Sequence, residues 1–313
     1  LAGEALIDLF PAASGPIAEA ETLRRRAGGA PANVAVALSR LGHPPLLWTR
    51  LGDDPFGEHL KSVLAEEGVR EALIKTDPDR KTAHTLVGQD ADGDQSFTFF
   101  AEKTATFAME SGTVIEETLE TVEWVHVGGV TLHTEPSRSA TLELMERADE
   151  YGCTVSFDPN TRADLWPEES VLIETLERAI SLADVVKTDQ EDLAMLFEAP
   201  GEDTLAAAVL ERGPHTVMLT RGGDGAMARA SEAAPWGPAT AEFGGYDVDV
   251  VETTGAGDAF VAGSIAGFTG ECDSLSETVQ YASGVGALAT TETGAMDGLP
   301  TASEVTKLFE DGS

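Results

Sequence analysis

A chain of 313 residues with 20 Lys and Arg against 55 Asp and Glu carries a formal charge of −35. That balance excludes nucleic acid as a partner, since phosphate contacts rest on clustered Lys and Arg. Such acidity often marks disorder, yet 42% of the residues are hydrophobic and no long acidic block occurs, so a substantial packed core is expected. The acidic residues are spread along helical stretches, and the lysines are confined to Lys61, Lys75, Lys81, Lys103, Lys187 and Lys307. A self-repelling but foldable composition of this kind predicts adaptation to high salt, where screening shortens the reach of surface charge. Cys153 and Cys272 show no metal-ligand spacing, and a reduced cytoplasm is their simplest setting. No apolar run approaches about 18 residues and no basic-then-apolar leader is read, so the expectation is a soluble, cytoplasmic protein without a membrane partner.

Leu1 already lies in an apparent strand, and a few residues are expected upstream. In "GEALID", residues 3–8, Asp8 follows an apolar strand and reads either as a strand-end turn residue or as a carboxylate that holds a ligand. In "GGAPANVA", residues 28–35, Gly28 and Gly29 let backbone approach a ligand closely and Asn33 offers donors and acceptors. A turn into a helix with Asn33 on a solvated face is the other reading. Residues 30–42 form that helix, with Pro31 in its first turn and Gly42 as its stop, and residues 55–68 repeat the pattern. Residues 82–100 read as two strands joined by the "DADGD" turn, and with residues 17–26 they form a small β flap beside the main body.

From residue 124 short apolar runs alternate with amphipathic helices at 137–151 and 167–183, which argues a parallel, helix-covered α/β sheet. The runs "WVHVGG", "TVSFDPN", "DVVKTDQ" and "TVMLTRGG" end at Gly128 and Gly129, at Asp158 and Asn160, at Lys187 and Asp189, and at Thr220, Arg221 and Gly222. Ligands of open α/β sheets bind outside the carboxyl ends of the strands, so all four ends are expected to line one crevice. The stretch "TTGAGD", residues 253–258, would join them.

In "VVETTGAGDAF", residues 250–260, Asp258 stands between a glycine turn and an apolar run. An N-cap is one reading, because Asp accepts from the free N–H groups of a first helical turn. A phosphoryl-transfer site is the other. Successive N–H groups at a helix N-terminus favour an anion, and a nearby carboxylate takes the proton of an attacking hydroxyl. Neither a Walker motif nor a dinucleotide fingerprint occurs, which weighs against P-loop and Rossmann readings.

The chain resembles the ribokinase-like (PfkB) carbohydrate kinases through the pair "GGAPANVA" and "ETTGAGDAF", and through "GEALIDL", "RLGDDPFGEHL", "EPSRSATLELM" and "SFDPNTRADLWP" it is similar to the fructokinase branch. The resemblance implies a single ribokinase-like domain over residues 1–313, a mainly parallel α/β sheet with a small β lid formed from about residues 9–27 and 80–107. It implies Asp258 as catalytic base, with Gly255, Ala256 and Gly257 as the anion hole, so that capping and catalysis fall on one residue. Asp8, Gly28, Gly29, Asn33 and Arg162 would hold the sugar. Lys187, Asp189, Thr220, Gly222, Gly225 and Ser283 would meet the nucleotide, and Asp192, Glu252 and Thr254 the metal ions. ATP and Mg²⁺ are the implied cofactors, with K⁺ as a further one, and two copies would pair through the lid.

Four departures from the family's pattern fall on five positions. Glu252 replaces the usual Asp, which changes the geometry of the monovalent-cation site. Asp189 and Asp192 stand where an N-x-x-E pattern is common, Ser283 where Asn is frequent, and Ala101 where Arg often follows the lid aromatics. Fructose is the expected acceptor, with 2-keto-3-deoxygluconate kinase, ribokinase and a non-catalytic sugar-binding regulator as the other readings. The composition makes its own prediction: thermal stability rises with KCl into the molar range, and a protein most stable in dilute buffer would remove the high-salt reading.

Overall fold

The computed structural model describes residues 1–12, 17–89, 95–197 and 201–311. Strands β1 (Leu6–Pro11) and β2 (Leu23–Gly28) pair antiparallel, with Leu6 opposite Gly28 and Asp8 opposite Arg26. Helix α1 (Ala30–Arg40) follows at once, with Pro31 in its first turn and Gly42 at φ 93 beyond its end. After β3 (Thr49–Gly52), helix α2 (Pro55–Glu66) is capped by Asp54, whose side chain accepts from the N–H groups of Phe56 and Gly57. Strand β4 (Ile74–Asp77) lies parallel to β3. Strands β5 (His84–Gln89) and β6 (Gln95–Phe100) pair antiparallel, and the "DADGD" turn at residues 90–94 lies outside the described residues.

After a one-turn helix α3 (Glu116–Leu119) the expected alternation sets in: β7 (Trp124–Gly128), α4 (Ser137–Glu150), β8 (Thr154–Asp158), α5 (Glu169–Leu182), β9 (Val185–Thr188), α6 (Glu202–Leu210) and β10 (Thr216–Thr220). Strands β7 to β10 run parallel, and β11 (Ala226–Ala230) and β12 (Ala239–Phe243) add an antiparallel edge, giving the order β12-β11-β10-β9-β8-β7. Ala2 pairs in parallel with Val127 and with Trp48, so the first residues join this sheet to the β3–β4 pair. The chain closes with α7 (Ala256–Ala266), α8 (Leu275–Ala289) and α9 (Ala302–Asp311). The four helices read from sequence begin and end within two residues of their expected bounds.

Side chains alternate across the parallel strands, so the sheet carries helices on both faces. Val155, Phe157, Val186, Val217 and Leu219 pack with Leu144, Leu172, Leu176 and Val209 of α4, α5 and α6. On the other side Met218 meets Phe260 and Val279, beside a second core that joins α1, α2, α7 and α8. Helices α7 and α8 cross closely because Gly263 carries no side chain; a Cβ there would stand 2.8 Å from Ala282 Cα.

The remaining strands form a second sheet, ordered β2-β1-β5-β6. It is fastened to the body by a small apolar cluster of Leu6, Ala83, Ala101, Phe107 and Val130. Asp8 therefore lies inside β1 and not at a strand end, because the apolar pattern that ends the "GEALI" run continues through Leu9 and Phe10 into the second sheet. Where β7 ends, the chain has no room for a side chain: a Cβ on Gly129 would lie 1.9 Å from the Pro159 carbonyl oxygen. Gly129→Ala is thus expected to cost about 2 kcal/mol or more of unfolding free energy, read from the urea midpoint, whereas an unchanged midpoint would mean the two strand-end loops move apart freely.

Candidate active site

A cleft of about 550 Å³ opens between the second sheet and the carboxyl ends of β7, β8 and β9. Asp8, Gly29, Asn33, Arg162, Lys187, Asp189, Asp192, Thr254, Gly255, Gly257 and Asp258 line it. Eleven of the residues singled out from sequence, scattered over 250 positions, are brought together.

The turn before α7 explains its glycines. Gly255 is the N-cap at φ 86, a left-handed conformation, and a Cβ there would stand 2.8 Å from the Ala295 carbonyl oxygen. The N–H groups of Ala256, Gly257 and Asp258 open the helix, where such groups lack intrahelical acceptors and the dipole favours an anion. Asp258 does not cap α7, contrary to the reading from sequence: it is the third helical residue, and no side chain accepts at the N-cap. Its carboxylate turns instead toward α1, where Oδ2 accepts from Asn33 Nδ2 at 2.7 Å. Asn33 is correspondingly buried and not on a solvated face. Burial pushes the Asp258 carboxyl up to about 7; the Asn33 hydrogen bond opposes that shift and Asp158 adds to it.

Asp8 faces the same space from β1. Burial raises its pKa to about 7, with repulsion from Asp258 and Glu252 in addition. Gly28 does not line the cleft, but a Cβ on it would lie 2.1 Å from Asp8 Oδ2, so the glycine makes room for that carboxylate. Arg162 reaches over the Phe97 ring of β6 at 6.0 Å and connects the strand end of β8 to the second sheet.

At the ends of β8 and β9, Lys187 Nζ meets Asp158 Oδ2 at 3.0 Å. Burial works against the lysine charge, but Asp158, Asp192 and Asp258 outweigh it and leave its pKa raised. The ammonium stands 3.3 Å from where a Cβ on Gly257 would be, beside the helix N-terminus. Asp189 Oδ1 accepts from the N–H groups of Glu191 and Asp192, and Asp192 Oδ1 accepts from Thr161 N at 2.7 Å. Burial, then Asp158 and Asp189, raise Asp192 to about 7.

Other expected residues lie outside the lining. Thr220 ends β10, one strand from Thr188, and Gly222 and Gly225 shape the turn into β11, at φ 57 and 85. From the end of β10 the chain turns through Gly222–Asp224 into the antiparallel β11, with Leu219 in register with Thr188 beside the cleft-lining Lys187. Ser283 is buried on α8 and Ala256 contributes backbone only at the start of α7. Glu252 Oε2 accepts from Gly294 N at 2.9 Å, away from the cleft. Among the described residues no three His, Cys, Asp or Glu side chains are arranged to hold a metal ion. No helix of the described residues is long and apolar enough to cross a membrane.

Glu4 is the residue that sequence reasoning missed. It lines the cleft at 2% exposure, with Oε1 accepting from Ala30 N at 3.1 Å, and burial pushes its pKa up to about 8. Its signal was a Glu before a wholly apolar run.

Comparison with known proteins agrees with this geometry. The family described as "pfkB family carbohydrate kinase" matches residues 1–302. The fructokinase of Vibrio alginolyticus is 36% identical over 98% of this chain and 97% of its own. The crystal structure of the Vibrio cholerae O395 fructokinase in its fructose, ADP and calcium ion bound form superposes with a TM-score of 0.87 at 33% identity, covering 98% and 97% of the two chains. A double mutant of that enzyme in fructose, ADP and potassium ion bound form gives 0.85 at 32%, over 98% and 96%. The chain belongs to the pfkB family of carbohydrate kinases. It is a phosphotransferase that acts on a sugar hydroxyl, on a ribokinase-like fold.

Glu4, Asp8, Asp192 and Asp258 all have pKa values raised above those of exposed carboxyls, so the folded chain binds more protons than the unfolded one between about pH 4 and 7. Stability from these groups is present below the unfolded values and is lost as pH rises through the folded ones. Asp258→Asn is expected to raise the unfolding free energy at about pH 8 by on the order of 2 kcal/mol, with the gain shrinking toward about pH 4. A gain independent of pH would mean that Asp258 ionises freely in the fold.

Proposed function

We propose that this kinase transfers the γ-phosphoryl of MgATP to a hydroxyl of fructose, with Asp258 as general base. The observation that carries the reading is Asp258 held by Asn33 at the mouth of the α7 N-terminus, in a cleft that also contains Asp8 and Arg162. The acceptor hydroxyl lies against Asp258. As its oxygen bonds to the γ-phosphorus and the bond to the bridging oxygen of ADP breaks, the hydroxyl proton passes to the carboxylate. Charge on the transferring group falls on the N–H groups of Gly255, Ala256 and Gly257 and on Lys187. Asp8 and Asn33 orient the sugar from two sides. Asp189 and Asp192 would supply the carboxylates that meet a nucleotide-bound Mg²⁺, which would offset phosphate charge, as suits an ion that keeps several waters. The second sheet acts as a lid that keeps water from the phosphoryl group. Its exposed Leu23, Phe97 and Phe100 are the surface through which two copies would pair, and the cytoplasm, where ATP is made available, is the fitting compartment.

The relatives' names support fructose, as does Ala101 in a buried position under the second sheet, which offers no cation to an acidic sugar. The test is a coupled ADP-release assay in molar KCl with MgATP and, in parallel, fructose, 2-keto-3-deoxygluconate, ribose and glucose. Turnover on fructose alone is expected; turnover on the keto acid would move the specificity to Arg162, and silence with ATP bound would favour a sugar-binding regulator. Asp258→Asn is expected to lower kcat by roughly 10²–10⁴-fold with ATP still bound, and wild-type kcat/KM to rise with pH through about 7 as the base loses its proton. A variant with near-normal turnover would strip Asp258 of that role.

A further inference from the structure

Arg26 stands on β2 directly opposite Asp8, in a run of three arginines whose other two, Arg24 and Arg25, are exposed. Its own head group leaves the second sheet and enters the body of the molecule. Nη2 donates to Thr293 Oγ1 at 3.3 Å, and Nη1 lies 3.9 Å from both Glu252 Oε2 and Asp297 Oδ2. The receiving loop is shaped around it: Gly294 sits at φ 104, and a Cβ there would stand 2.0 Å from Arg26 Nη1. That loop in turn braces the anion cradle. Gly294 N donates to Glu252 Oε2, the N–H groups of Val251 and Glu252 both donate to the Thr290 carbonyl, and Ala295 backbone packs against Gly255.

Arg26 Nη1 and Glu252 Oε1 are both buried and make no hydrogen bond among the described residues; Arg26 is the cation beside Glu252, while Asp297 shares the guanidinium. A buried carboxylate without a counter-charge is strongly disfavoured, and here the counter-charge is a side chain. This bears on the monovalent cation for which Glu252 is an expected ligand. A metal ion bound to Glu252 would lie beside the guanidinium and be repelled by it, so the residues present do not fit that ion.

We propose that Arg26 is a built-in cation: a positioning residue that takes the place of a monovalent metal ion at Glu252 and ties the strand pair holding the sugar to the loop behind the phosphoryl cradle. This rests on the kinase reading for its kinetic arm, but its binding arm does not. Wild-type protein and Arg26→Gln are melted in potassium, sodium and choline chloride of equal ionic strength, and sugar-dependent ADP release is measured in the same salts. The wild type is expected to give the same midpoint in all three within about 1 °C and the same kcat within about twofold. In choline, Arg26→Gln is expected to lose roughly tenfold in kcat/KM for the sugar, with potassium or millimolar guanidinium restoring several-fold and raising the midpoint, and with Arg26→Lys intermediate. A wild type stabilised or activated specifically by potassium overturns the proposal, as does an Arg26→Gln protein that matches the wild type in every salt. Should Arg26→Gln fail to fold, the wild-type salt series still decides, and should no sugar be phosphorylated, the melts decide while the kinase reading falls.

Discussion

The hydrogen bond from Asn33 Nδ2 to Asp258 Oδ2 joins the first turns of two helices that are more than 200 residues apart in sequence. Everything else in the cleft is arranged around it. Each helix is started by a glycine with positive φ, Gly29 at 102 and Gly255 at 86, and each glycine lies where a Cβ would strike neighbouring backbone. The Gly29 approach is to Glu4 and Ala5 and the Gly255 approach to Ala295, and the buried contact between α1 and α7 holds the two helix starts together. Asp258 is thereby withdrawn from its own helix N-terminus, where no side chain caps the first turn and the Ala256 N–H donates to the Thr253 carbonyl at 3.2 Å. One side-chain contact thus holds the Asp258 carboxylate apart from the helix start beside it.

Crowding of like charge is the cost of this arrangement. Glu4, Asp8, Asp158, Asp189, Glu191, Asp192 and Asp258 share one cleft with Lys187 and Arg162. Seven carboxyls crowd two cations, and burial holds four of them, Glu4, Asp8, Asp192 and Asp258, well above the usual carboxylate range. A cleft held partly protonated at rest can accept a polyanionic nucleotide without the repulsion that full ionisation would impose. Glu4 is the extreme case: nearly inaccessible, it spends one oxygen on the Ala30 N–H at the start of α1. It positions the helix that carries Asn33.

The parallel half of the molecule was legible because its elements have strict periods: apolar strands of four or five residues, amphipathic helices, polar residues at the strand ends. The glycine-framed motifs around Asn33 and Asp258 were legible for a different reason, since few chemistries need bare backbone next to an ionisable side chain. What was hidden is what depends on a partner remote in sequence. Asp258 was read as a cap because an Asp at a helix start nearly always caps; only Asn33, brought in by tertiary packing, gives the carboxylate a better use. Asp8 was placed at a strand end because the sheet to which β1 belongs cannot be read from one strand. Arg26 sits in "LRRR", which reads as a solvated basic run until the loop at 290–297 is folded against it.

The two sheets share one cleft, Asp8 facing it from one and Asp158 and Lys187 from the strand ends of the other. The structure offers two polar ties between them on opposite sides of the cleft: Arg162 reaching up to Phe97 from the end of β8, and Arg26 reaching down from β2 to Glu252. Both use arginine in a chain where lysine is scarce, and arginine is the cation that stays charged when buried and keeps a planar, pre-formed geometry. Arg26 therefore links β2, which pairs with the strand that carries Asp8, to the loop whose Ala295 packs against Gly255.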